Sequence, residues 1–139
     1  MKKIKLVSTL FIGAMLISLT ATAQDIKLKS PDKRVDVKVQ LKDGQLFYSV
    51  SYRGKVVLQP SQLGISRTDG DFYKDLKWNG NSMSARVNES YPILNGKKST
   101  AIVSANKQLI SVKNAIGDEM QVLFQVSNDG IAFRYYFPG

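Results

Sequence analysis

The sequence predicts an all-β protein, an antiparallel β-sandwich, and three observations carry that reading. Apolar side chains recur at every second position, tight-turn pairs follow the alternating runs at short intervals, and helical spacing is almost absent. A period of two is what a strand shows when one face meets a core and the other meets water. Many short strands joined by tight turns leave two packed sheets as the simplest way to bury those faces.

The elements follow in order. Val35, Val37, Val39 and Leu41 alternate with Asp36, Lys38 and Gln40, and Asp43 and Gly44 then make a turn. Leu46, Tyr48, Val50 and Tyr52 return as the partner strand, which puts both tyrosines on the core face. Arg53 and Gly54 turn the chain into residues 56–58, where Pro60 is expected to interrupt the ladder because it has no N–H to donate. Residues 62–68 read as the next strand. Residues 69–82 are the least regular, with Gly70, Asn79, Gly80 and Asn81 favouring loops. Strand pattern resumes over 83–87, 100–104 and 108–112. The closing hairpin is the clearest signal: Met120, Val122, Phe124 and Val126 alternate, Asn128, Asp129 and Gly130 turn, and 131–137 returns. A last strand carrying Phe133, Tyr135, Tyr136 and Phe137 leaves an apolar edge, so the chain is expected to continue beyond residue 139.

The other end reads as an export signal. Lys2, Lys3 and Lys5 precede an uncharged apolar run over 6–19, and Ala21, Thr22 and Ala23 supply the small-x-small pattern cleaved by signal peptidase. That run is short for a bilayer span, which needs ~20 residues. The domains expected are therefore a signal peptide over 1–23 and one β-sandwich domain over 24–139, incomplete at its C-terminus. The expected location is the periplasm or the exterior, with no membrane attachment after cleavage. The mature chain carries +6 where the whole sequence carries +9, because the leader takes three lysines with it. Those charges are scattered at alternate strand positions and beside turns, the pattern of a solvated face, and nucleic acid is not an expected partner.

Composition limits the chemistry. With no histidine and no cysteine, Ser-His-Asp and Cys-His nucleophiles, disulfides and thiolate or imidazole metal sites are all excluded. Glu89 and Glu119 are the only glutamates of the mature chain, and both read as exposed carboxylates near strand ends. Asp69, Asp71 and Asp75 share a loop, but their spacing departs from a calcium-binding loop and loop polarity explains them. Asn88–Ser90 is a glycosylation sequon by pattern only. Phe72, Tyr73 and Trp78, flanked by Asp71 and Asp75, are the candidate sugar-stacking residues; the competing role is to plug one end of the sandwich. Arg134 is left to pair with a carboxylate across the hairpin or to reach another domain.

Four segments, LKSPD over 28–32, KVVLQPSQLGI over 55–65, YPILNGKKS over 91–99 and FQVSNDGIAFRYYFP over 124–138, resemble in order the N-terminal domain of glycoside hydrolase family 97. Members are α-glucosidases or α-galactosidases of the periplasm of gut Bacteroidetes. The resemblance implies part of a β-super-sandwich related to the galactose-mutarotase fold. It also implies a catalytic barrel elsewhere in the polypeptide as partner, with calcium and the α-linked oligosaccharide or α-galactoside bound by the full-length enzyme. No catalytic residue carries over, so this chain alone is expected to be inactive. The alternatives are a free-standing carbohydrate-binding or scaffold β-sandwich of the periplasm.

Overall fold

The alternating runs become strands wherever a partner strand can take them. The computed structural model describes residues 25–94 and 99–138; the expected leader and residues 95–98 lie outside the described residues. Among the described residues ten strands follow in order: β1 Asp25–Lys29, β2 Val35–Lys42, β3 Gln45–Tyr52, β4 Lys55–Leu63, β5 Ser66–Arg67, β6 Gly70–Asp71, β7 Lys77–Pro92, β8 Thr100–Lys113, β9 Glu119–Ser127 and β10 Ile131–Tyr136. They form two antiparallel four-stranded sheets, β1-β2-β3-β4 and β10-β9-β8-β7, with β5 and β6 as a small separate hairpin.

The turns set the registers. Lys42 pairs with Gln45 and Tyr52 with Lys55, leaving Asp43–Gly44 and Arg53–Gly54 as two-residue loops. All four of those residues have positive φ, between 49° and 79°. That is the signature of the primed turns whose twist matches the strands they join.

The core lies between the two sheets. Val35, Val37 and Val39 of β2 and Leu46 and Val50 of β3 face Met120, Val122, Phe124 and Val126 of β9 and Ile110 and Val112 of β8. An aromatic cluster joins the layers: Tyr48 of the first sheet sits 6.0 Å from Phe124 and 5.4 Å from Phe133 of the second, whose rings are 5.5 Å apart. Tilted and edge-on contacts at these separations suit the ring quadrupoles.

Several details depart from the sequence expectation, and β7 is one: it begins at Lys77, inside the stretch read as irregular, and runs to Pro92. Pro60 does not end its strand. β4 is an edge strand, and its register against β3 shifts between the Tyr48–Ser61 and Val50–Leu58 pairs, so Pro60 falls in an irregular stretch of the ladder where its missing donor is tolerated. Leu63 therefore belongs to β4, and the strand expected over 62–68 shortens to Ser66–Arg67. Residues 100–104 and 108–112 are one strand, because β7 pairs without a break along 100–110 and β9 joins from Ala105 onward. Tyr52 is not in the core; at the hairpin end it is 38% exposed, with the Arg53 guanidinium 5.3 Å from its ring centre.

Candidate functional site

The segment expected to carry the sugar-stacking residues packs against one end of the sandwich. The β5–β6 hairpin brings Phe72 in by a bond from its backbone N–H to the Ile65 carbonyl, 2.8 Å. Phe72 is 3% exposed and meets Phe137 edge-on at 5.0 Å, while the Arg67 guanidinium lies 4.2 Å from the Phe137 ring centre. Its ring has no free face within this chain. Trp78, opposite Val112 on β7, is partly buried against the core cluster. Tyr73 is the exposed member of the three at 37%, with the Lys74 ammonium 5.5 Å from its ring centre. The structure thus gathers Phe72 and Trp78 as packing residues and leaves Tyr73 at the surface.

A glycine makes this end fit. A Cβ on Gly64 would stand 2.6 Å from the Phe72 carbonyl oxygen and 2.7 Å from the Tyr73 Cα, and the residue holds φ at +148°. The Gly64 N–H donates to the Tyr135 hydroxyl at 3.0 Å. Burial is the main reason the Tyr135 phenol titrates above its ordinary value, and the Gly64 bond opposes that shift.

The carboxylates are dispersed. Asp69 pairs with Arg67 at 2.7 Å, Asp71 accepts from the Ser66 hydroxyl, and Asp75 turns the chain at φ 52°. Among the described residues no three Asp, Glu, His or Cys come together in a way that could hold a metal ion. Glu89 pairs with Val103 and Glu119 with Lys113, ten residues apart on the same strand. At ~3.4 Å per residue that is roughly 34 Å. Two carboxyl groups that cleave a glycosidic bond stand roughly 5–9.5 Å apart, so these two do not form such a pair. Glu119 accepts instead from the Ser111 hydroxyl, 2.7 Å, and from the Gln121 amide, and those bonds hold its carboxyl below the ordinary range.

What the structure does bring together is a clasp between distant turns. Ser30, 1% exposed, donates its hydroxyl to Asp32 at 2.6 Å and accepts from the Val35 N–H at 3.0 Å. Asp32 also accepts from the Arg34 N–H, 3.0 Å. The Asp32 N–H donates 3.0 Å to the side-chain oxygen of Asn128, 96 positions away in the turn between β9 and β10. The S-P-D and N-D-G segments are therefore two halves of one structural lock between the sheets. The signal was present, since Ser, Asp and Asn at turns bond nearby backbone, but nothing local says that the two turns meet.

Two predictions follow from the clasp. Ser30→Ala leaves the buried Val35 N–H without its acceptor, and urea unfolding should show a loss of about 1–3 kcal/mol. Asp32 titrates at about 2, below its ordinary 3.8, first because of the Ser30 hydroxyl and then the Arg34 N–H. A depressed carboxyl stabilises the fold above pH 3.8, and that contribution is lost as pH falls from 3.8 toward 2. The wild-type advantage over Asp32→Asn in denaturation midpoint should therefore be constant near neutrality and shrink through that window. An advantage that grows in acid would contradict the assignment.

A two-layer sandwich locked at its turns, with aromatic residues filling one end, defines a β-sandwich module. Residues 28–139 match the family model described as Glycosyl-hydrolase 97 N-terminal, and the chain belongs to that family. The chain is 28% identical to a probable retaining α-galactosidase of Streptomyces bingchenggensis (strain BCW-1), over 96% of this chain and 22% of that protein. It superimposes on a crystal structure of β-arabinopyranosidase with a TM-score of 0.78 and 34% identity, over 84% of this chain and 18% of the other. A family 97 glycoside hydrolase from Pseudoalteromonas sp. strain K8, solved with panose, gives a TM-score of 0.75 at 22% identity, over 81% and 17%. The chain spans about a fifth of the length of these relatives.

Proposed function

We propose that this chain is the N-terminal β-sandwich module of an exported glycoside hydrolase, serving to buttress a catalytic barrel encoded outside these residues and to form one wall of its sugar pocket. The observation that carries the reading is family membership over 28–139 combined with coverage of only 17–22% of relatives that are glycoside hydrolases. The dispersed glutamates fit a module that leaves the acid and base to another domain. No donor set for calcium is gathered among the described residues, and the calcium expected of the full-length enzyme belongs to the residues outside them in this reading.

For the substrate, a galacto-configured pyranoside is favoured over a glucoside. The relatives at 28% and 34% identity are named for α-galactoside and β-arabinopyranoside cleavage. A β-L-arabinopyranoside has the ring configuration of an α-D-galactopyranoside without its hydroxymethyl arm. Cleavage of the leader before Gln24 and release into the periplasm complete the proposal.

The test is the mass and N-terminus of the native protein, captured from a periplasmic extract with an antibody against residues 24–139. A species several times the 15.5 kDa of this chain, active on aryl α-galactosides, is the expected result. A species of this chain's own size overturns the reading. Trp78 fluorescence during galactose and maltose titrations would then decide whether a free-standing sugar-binding module takes its place.

A further inference from the structure

The two outer faces of the sandwich differ in kind. On the first sheet the outward positions of β1 and β2 are polar and mutually paired: Lys29 with Asp36 at 2.9 Å, Lys38 with Asp25 at 3.0 Å, and Gln40 with Asp25 at 2.8 Å. On the second sheet one cross-strand row reads Arg134, Leu123, Leu109 and Met83 from β10 to β7. Met83 is 72% exposed, and Tyr136, two residues from Arg134 on the same face, is 57% exposed. These side chains surround a shallow hollow of about 350 Å³. A second hollow of about 220 Å³ adjoins it through Leu123, Lys107 and Arg134. Outward positions of a two-layer sandwich normally face water with polar side chains, and a contiguous apolar patch on such a face marks an interaction surface.

The charges choose the occupant. Lys107 and Arg134 border both hollows, no acidic residue lines either, and neither cation has an ion-pair partner among the described residues. A two-fold contact between copies of this chain would set these cations against their own counterparts. We propose that this outer face docks an apolar layer bordered by carboxylates, contributed by the part of the hydrolase polypeptide outside these 139 residues. The inference rests on the function proposed above and assigns the face, the residues and the chemistry of the contact.

The experiment uses the native-length polypeptide and compares it with a variant carrying Leu109→Arg and Leu123→Arg, and with Arg134→Glu. Both changes fall on the outer face, and Arg134→Glu alters an exposed charge only, so at least one variant folds. Docking predicts one calorimetric unfolding transition for the wild type and two for the paired leucine variant. Proteolytic separation of the module should rise on the order of tenfold, since cleavage tracks the undocked population. Arg134→Glu should loosen the coupling in the same direction. A native polypeptide that is long but keeps a single transition in every variant overturns the docking face and leaves the functional reading intact. A native species of only 139 residues or fewer removes both. Should this chain alone sediment as a dimer that the paired leucine change returns to monomer, the occupant is a second copy and the proposal fails.

Discussion

Phe124→Ala is expected to lower the stability of the module by about 4 kcal/mol, the middle of the range for truncating a buried aromatic residue. The side chain is fully buried at the centre of β9, the largest such residue among the described residues. It touches the ring of Tyr48 from the opposite sheet and that of Phe133 from the neighbouring strand. Its removal therefore opens a cavity between the layers and strips two tilted ring contacts, and flanking valines stiff at χ1 cannot collapse to fill it. A domain of this size has only ~5–15 kcal/mol to lose. Equilibrium urea unfolding measures the effect, with Leu94→Ala as control because that side chain is 93% exposed. The control should stay within ~0.5 kcal/mol. A Phe124→Ala loss no larger than that of the control would show that the sheets do not pack through this ring.

Gly64→Ala should cost about 3 kcal/mol, for two separable reasons. The added carbon meets the backbone of Phe72 and Tyr73 at 2.6–2.7 Å, and backbone cannot swing aside as a side chain can. The φ of +148° is also one that a residue with a Cβ resists. Gly54→Ala separates the two terms. Gly54 holds φ at +79° with nothing within 4 Å of the added carbon, so only the conformational cost of about 1 kcal/mol applies. Thermal unfolding of the pair should put Gly64→Ala well below Gly54→Ala, by roughly 4–8 °C for each additional kcal/mol. Equal melting points would mean that the Phe72 segment relaxes freely and that this end of the sandwich is not tightly held.

The strands of the first sheet and the closing hairpin were legible because their information is local. In β2, β3 and β9 one face is wholly apolar, and the two-residue turns after β2 and β3 contain a glycine that accepts positive φ. Alternation was less informative for β8. Leu109 and Ile110 are adjacent and both apolar, so a period of two cannot say which points inward; pairing with β7 and β9 puts Ile110 in the core and Leu109 on the outer row. Pro60 misled for the opposite reason. Its missing donor matters only if a strand lies on that side, and position at the sheet edge is a property of the whole fold.

The candidate site divides the same way. Phe72, Tyr73 and Trp78 were legible as aromatic residues in an irregular segment, but whether a ring stacks on a ligand or on Phe137 depends on residues some sixty positions away. The roles of Ser30 and Asp32 became clear only once their turn met Asn128 across 96 residues. By itself, then, the sequence determined the fold class, the turn positions, the lack of histidine and thiol chemistry, and the family resemblance, since composition, periodicity and ordered motifs are written along the chain. Tertiary structure alone decided which aromatic rings are buried, that the two glutamates are far apart, and that one outer face is apolar and bordered by cations. Those properties depend on strand register and sheet order, which arise from contacts between residues that sequence spacing does not relate.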